Sequence, residues 1–240
     1  MQVSIIIPAY NEQDRIQKTL NKVFYYLRVN NIDAEVIVID DGSKDDTFSI
    51  VKEFEKKHDN VVILRNDCNR GKGFSVRRGV LMARGDCVLF SDADNSTPIQ
   101  EIKKVMPFIL NNEYDVVLGS RSIKGSDVRI RQPYFRIIMG RIFNLFVKML
   151  LYRDFKDTQC GFKAFAKKAA QEIFKRQTIE RFSFDAEILA IARVQHFRIQ
   201  QVPVVWVNSA HSRVSPFSDA FQMFMDLFKI KINLLKKKYY

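Results

Sequence analysis

Cysteine, histidine and tryptophan are scarce in this chain, with 3, 3 and 1 copies among 240 residues. Cys68, Cys87 and Cys160 lie far apart, and none belongs to a Cys-x-x-Cys pair. That excludes a disulfide framework and a cysteine-built zinc site, and it fits a reducing compartment. His58, His196 and His211 show no metal-ligand spacing, and no Ser-His or Cys-His arrangement offers a covalent nucleophile. Long apolar runs are also missing. The longest, residues 137–151, is broken by Arg141 and Lys148. It falls short of the ~20 residues that a membrane span needs. Met1 leads straight into a strand-like segment, so no signal peptide is expected. Internal repeats and low-complexity tracts are absent. A hydrophobic content of 47% is enough to build a core without covalent staples.

Acidic residues are scarce too, but only in the second half. Residues 1–120 carry 16 Lys/Arg against 18 Asp/Glu, whereas residues 121–240 carry 23 against 9. The whole formal excess of +12 therefore originates after residue 120. One-sided positive charge implies an anionic partner: nucleic acid, anionic lipid or a phosphorylated substrate.

Residues 3–8, 35–39, 61–64, 87–90 and 115–118 are short apolar, β-branched runs separated by helical segments. The first such segment places Ile16, Leu20, Val23, Phe24 and Leu27 on one face. Ser43 with Asp46 reads as a capping box with Asp in place of Glu. The pattern predicts an α/β fold, a mainly parallel sheet with helices on both faces. After residue 120 the rhythm changes. Residues 125–133 read as a polar, basic loop and 157–162 as a turn. Helices are expected over 134–151, from about Ser183, and from about Phe217 into Lys236, Lys237 and Lys238, with a strand over 202–207. A catalytic domain over residues 1–212 and a basic amphipathic C-terminal helix over 213–240 result from this division.

Parallel sheets bind ligands beyond the carboxyl ends of their strands, and three of these ends carry polar clusters. Asp92-Ala93-Asp94 follows the fourth run, and two carboxylates at i and i+2 suit Mg²⁺ or Mn²⁺ shared with a substrate diphosphate. Asp40-Asp41-Gly42-Ser43 follows the second, where a carboxylate can accept from a base or ribose or a serine can cap a helix. Pro8-Ala9-Tyr10-Asn11-Glu12 follows the first, with an aromatic to line a base pocket and an acid to accept hydrogen bonds. Gly71-Lys72-Gly73 either cradles phosphate at a helix start or forms a tight turn that orders the metal loop.

Taken in order, spacing and strand context, Pro8-Ala9-Tyr10-Asn11-Glu12, Val38-Ile39-Asp40-Asp41-Gly42-Ser43, Asn69-Arg70-Gly71-Lys72-Gly73 and Asp92-Ala93-Asp94 resemble the family-2 glycosyltransferases of GT-A (Rossmann-like) fold. Gly119-Ser120-Arg121 is similar to the polyprenyl-phosphate hexosyltransferase branch. The stretches 157–163, 184–187 and 202–206 look most like the dolichyl-phosphate β-glucosyltransferases. The resemblance implies a nucleotide-sugar donor, UDP-glucose first, a polyprenyl or dolichyl monophosphate acceptor, and Mg²⁺ or Mn²⁺. It implies that Pro8, Tyr10, Glu12, Ile39 and Asp41 line the base pocket, that Lys72 and Ala93 join the donor site, and that Asp92 and Asp94 handle ribose and metal–diphosphate. Arg121, Arg136 and Arg213 are implied at the acceptor phosphate. His211-Ser212-Arg213 stands where the family more often shows Gly-Ser-Lys, which keeps the charge and brings His211 close to phosphate. Ser96 stands where relatives often place a metal-ligating amide.

A lipid monophosphate, with a second pKa near ~6, needs no general base to become a nucleophile. The enzyme must hold two anionic groups together and stabilise the leaving diphosphate, which metal and Arg/Lys clamps do electrostatically. A sugar hydroxyl acceptor needs a base, and Asp185 is then the candidate unless it is only a helix-terminal carboxylate. A single displacement inverts the anomeric carbon. The helices over 134–151 and after Phe217, the latter with Phe221, Phe224, Phe228 and Ile232 at helical spacing, either pack on the core or dock on an anionic membrane surface. With the basic half, they give a cytoplasmic protein held peripherally on the cytoplasmic face of a membrane. No nucleic-acid partner is expected, because carboxylates at three strand ends repel a phosphate backbone. A nucleotidyltransferase would carry a Gly-rich basic loop after its first strand, which Pro8-Ala9-Tyr10-Asn11-Glu12 is not.

Overall fold

The computed structural model describes residues 1–130, 134–208 and 218–240, apart from the side chains of Arg136 and Ser218. The five apolar runs form β1 (Val3–Ala9), β2 (Ala34–Asp40), β3 (Val61–Arg65), β4 (Cys87–Ser91) and β5 (Val116–Ser120). They alternate with α1 (Ile16–Val29), α2 (Thr47–Glu55), α3 (Lys72–Met82) and α4 (Ile102–Leu110). Side chains alternate across a strand, so β2 sends Ile37 and Ile39 into one half of the core and Val36 and Val38 into the other. Helices cover both halves, which is why the strands are apolar without interruption.

The main sheet runs β3-β2-β1-β4-β7-β5-β8, with β7 (Phe162–Ala166) and β8 (Ile199–Pro203). Strand β7 is antiparallel to both β4 and β5, and the other pairs are parallel. The expected turn over 157–162 is therefore the entry to a central strand. Beyond it, β6 (Asp127–Ile130) pairs in parallel with β9 (Val205–Val207). This corrects two expectations: the loop over 125–133 contains a strand, and the strand over 202–207 is two, broken at Val204. The capping box is not formed either. Helix α2 starts at Thr47, whose N–H donates to Asp45 Oδ1 at 3.0 Å, while Ser43 Oγ accepts from Asn11 N at 2.9 Å. Ser43 thus ties two strand-end loops together.

The remaining helices are α5 (Tyr134–Leu150), α6 (Lys167–Arg176), α7 (Phe184–Val194) and α8 (Ser218–Leu235). Helices α5 and α8 meet through an edge-on contact of Phe146 with Phe224, and Val147, Leu227, Ile230 and Tyr239 join the main core. Their other faces stay apolar and exposed: Tyr134, Ile138, Ile142, Leu145 and Met149 on α5, and Phe221, Met225, Phe228, Ile232 and Leu235 on α8. Among the described residues no helix is long and apolar enough to cross a membrane.

Candidate active site

The carboxyl ends of β1, β2, β4 and β5 open on a cleft of about 530 Å³. Pro8, Tyr10, Glu12, Asp41, Lys72, Asp92, Ala93, Asp94, Ser96 and Arg121 all line it. Ile39 does not. It is fully buried and packs under α3, where a Cβ on Gly79 would meet it at 2.5 Å. In a sheet covered on both faces such an apolar strand residue packs into the core, one layer beneath the residues that line the cleft. Asp185 is also absent from the lining. Arg213 and His211 lie outside the described residues, as does the Arg136 side chain.

The loops after β1 and β2 brace each other. Asp41 N donates to Ala9 O at 2.8 Å, Glu12 N to Thr47 Oγ1 at 2.7 Å, and Lys44 N to Asn11 Oδ1 at 2.9 Å. Asn11 takes the left-handed region at φ 53°, where asparagine is tolerated. The Asp41 carboxylate, expected to meet a base or ribose, accepts from Asn66 Nδ2, Arg70 N and Gly71 N at 2.7, 2.9 and 2.7 Å. Its main contact is thus with the loop that opens α3, and Gly71 at φ 108° makes that turn.

Charge is organised in pairs. Lys72 Nζ meets Asp92 Oδ1 at 2.6 Å, with the Phe90 and Phe184 rings beneath it at 5.7 and 5.9 Å. This joins the glycine loop to the Asp-x-Asp loop. Burial opposes the Lys72 charge, but Asp92 and Asp185 more than offset it and raise its pKa. The other edge of the Asp92 carboxylate lies on Gly161, where a Cβ would stand 1.9 Å from Oδ2. Arg15 holds Glu12 through two 2.6 Å bonds and comes within 3.9 Å of Asp94 Oδ2. Burial, then the Asp92 charge, raises the Asp94 pKa, while Ser96 N donates to its Oδ1 at 2.9 Å. Arg121 binds Asp157 bidentately at 2.7 and 2.8 Å, with Trp206 5.3 Å away. Burial pushes the Asp157 carboxyl up, yet Arg121 outweighs it and holds the group below the usual range. Under the cleft floor, buried Lys163 pairs with Asp185 and donates to Cys160 O at 2.6 Å.

A hard cation takes oxygen ligands and shares them with phosphate. Asp94 suits that role, since a cation would relieve the crowding that raises its pKa, and Asp92 lies beside it. Among the described residues there is no cluster of three His, Cys, Asp or Glu, and a cation held at Asp94 and Asp92 would also draw on oxygens of a bound diphosphate. Arg15, Gly161, Asp157 and Lys163 carry no signal as site residues in the sequence alone. Gly161, Asp157 and Lys163 sit in the stretch that carried the resemblance, but only the fold brings Gly161 against Asp92.

The model of Glycosyl transferase family 2 matches residues 4–174. The dolichyl-phosphate beta-glucosyltransferase of Dictyostelium discoideum is 38% identical over 244 residues, which cover 97% of this chain and 75% of that protein. The Homo sapiens protein of the same name is 32% identical over 246 residues, covering 98% and 76%. Among solved structures, glucosyl-3-phosphoglycerate synthase from Mycobacterium tuberculosis, in complex with Mn²⁺, UDP-glucose and phosphoglyceric acid, superposes with a TM-score of 0.68 at 19% identity, covering 99% of this chain and 79% of that one. At that identity the likeness speaks for the α/β fold. The family match runs from β1 into α6 and takes in every strand-end cluster of the cleft, and the chain belongs to the family 2 glycosyltransferases.

Proposed function

We propose that this enzyme transfers glucose from UDP-glucose to a dolichyl or polyprenyl monophosphate, with inversion at the anomeric carbon. The observation that carries this reading is a cleft that offers cations for two anionic substrates and keeps its candidate base, Asp185, paired with Lys163 beneath the floor. A phosphate acceptor needs no base, whereas a sugar hydroxyl does. The names of the relatives point to glucose and dolichyl phosphate. Tyr10, Pro8 and Glu12 form the base side of the cleft, and Asp92, set by Lys72 and Gly161, faces the ribose and diphosphate. Arg121, oriented by Asp157, holds the acceptor phosphate for in-line attack, with Arg136 and Arg213 as further cations. Asp94, with Asp92 beside it, would hold Mg²⁺ or Mn²⁺, which when bound would supply charge neutralisation for the departing diphosphate. The exposed stripes of α5 and α8 seat the molecule on the cytoplasmic face of an anionic membrane, where its lipid acceptor lies. In that reading α8 is the membrane-facing end of the catalytic unit. The test is transfer from UDP-glucose, GDP-mannose or UDP-N-acetylglucosamine to a short polyprenyl phosphate, with and without chelator, read by mass spectrometry. A hexosyl product from UDP-glucose that is lost on chelation is expected. Preference for GDP-mannose removes the glucose assignment, and full activity in chelator removes the metal.

A further inference from the structure

Beyond α8 the chain doubles back. Lys238 N donates to Asn233 O at 3.0 Å and Lys237 N to Leu234 O at 3.1 Å, with Lys237 at φ 53°. This is a Schellman turn with lysine where glycine is usual, so contacts of the last residues have to hold the conformation. Tyr239, fully buried, supplies them. Its hydroxyl donates to Glu187 Oε1 at 2.6 Å and accepts from Asn233 Nδ2 at 3.1 Å, and its carbonyl accepts from Gln195 Nε2. Burial and the Glu187 charge push the phenol well above its ordinary pKa, so the proton stays on Tyr239.

Glu187, fully buried on α7, turns the rest of its carboxylate to the segment before that helix. Oε2 accepts from Thr178 N at 2.9 Å and Ile179 N at 2.7 Å, and Oε1 accepts from Thr178 Oγ1 at 2.6 Å. Residues 177–180 in turn lie across the first turn of α3. Phe74 N donates to Glu180 O at 2.9 Å, and Gln177 Nε2 donates to Gly73 O at 2.9 Å. The approach is close enough that a Cβ on Gly71 would stand 2.6 Å from Glu180 O, and one on Gly73 2.6 Å from Ile179 O. That turn carries Lys72, which meets Asp92 at 2.6 Å.

We infer that Tyr239 and Glu187 are positioning residues for the donor site, acting through the 177–180 strap on the first turn of α3 and so on Lys72 and Asp92. The inference rests on the cleft being the nucleotide-sugar site, and neither residue lines that cleft. A buried carboxylate is stable only when its hydrogen bonds are made, so a tether through Glu187 resists displacement more than apolar packing does. The same helix that shows Phe221, Phe228 and Ile232 to the outside therefore bears, through its far end, on the donor loop.

Tyr239→Phe keeps the ring and removes one bond to Glu187. In the ligand-free protein, amides of residues 72–76 should exchange hydrogen at least about tenfold faster, while those of β1 and β2 stay unchanged. The Kd for UDP with Mg²⁺ should rise about tenfold, the size of one lost hydrogen bond to a charged group. Thr178→Val, which removes another donor from the same carboxylate, should give the same pattern, and Tyr240→Phe neither effect. A lower Tm in both variants without selective exchange at 72–76 makes Tyr239 a packing residue and overturns the relay. Faster exchange with unchanged UDP affinity overturns its bearing on the site. Failure of the parent protein to bind UDP overturns the nucleotide reading beneath it, and is told apart because the exchange measurement uses no ligand.

Discussion

Gly161 shows how one missing side chain organises the site. Its φ lies outside the left-handed region, so alanine meets no backbone strain there. The obstacle is the Asp92 carboxylate, 1.9 Å from the position of a new Cβ. Gly161→Ala should push Asp92 off Lys72 and lower kcat/KM by about 100-fold, the scale of an ångström misplacement, with little change in Tm. Normal activity would show that Asp92 needs no fixed place. Asp157 makes a second case at this scale. Its pKa is depressed in the folded protein, so its stabilising effect is present above the unfolded value near ~3.9 and is lost as pH falls through the folded value. Asp157→Asn leaves the half-buried Arg121 without its carboxylate and should cost about 1.5–3 kcal/mol at neutral pH, the scale of hydrogen bonds to a charged group. Denaturant melts from pH 7 to 3 should show a constant gap between parent and variant down to about pH 4, closing below. A gap that persists into acid would separate Asp157 from any role as an ionised partner. The sequence places Pro8, Tyr10, Glu12, Asp92 and Asp94 in the cleft, because a strand end is a readable address. It does not reveal that Asp41 turns to the α3 loop, or that Lys72 meets Asp92, because those contacts join separate strand-end loops.

At the level of elements, legibility follows burial on both sides. Strands β1 to β5 are continuous β-branched runs and are read within one or two residues. Strand β7 is hidden because Lys163 interrupts it, and a lysine is buried in a central strand only when a distant partner, here Asp185, neutralises it. Strand β6 is exposed at every residue and leaves no periodic signal. Helices α5 and α8 are legible, but their sequences cannot say which apolar stripe faces the core, since each carries one inward and one outward. The exposed Lys236, Lys237 and Lys238 lie just past the outward stripe of α8. Each contributes about 1 kcal/mol near an anionic surface. Changing all three to glutamine should weaken binding to phosphatidylserine vesicles by roughly two orders of magnitude at low salt, and turnover of long-chain prenyl phosphates should fall with it. Turnover of a short, water-soluble prenyl phosphate should hold, since the cleft is untouched. Loss of short-acceptor activity with intact vesicle binding would assign these lysines to the catalytic machinery instead.

For the whole molecule, the proposed reaction fixes the stereochemistry of the product. An acceptor phosphate is itself a nucleophile, so the transfer needs no covalent glycosyl-enzyme. Direct attack by the acceptor phosphate on an α-linked donor should therefore give a β-linked sugar phosphate, and an α-linked product by NMR would require a different mechanism. The distribution of thiols over this fold has a practical corollary. Burial pushes the Cys87 thiol up to about 12 and the Cys160 thiol up to about 11, which leaves both inert toward alkylation near neutral pH. Cys68 is exposed and shares a neighbouring depression with Tyr10 and Asn69, both of which also line the cleft. A maleimide dye should therefore react once per native chain, at the rim of the cleft, with no engineered cysteine. Its fluorescence would then report nucleotide arrival and departure in real time, in the unmodified sequence and on intact vesicles.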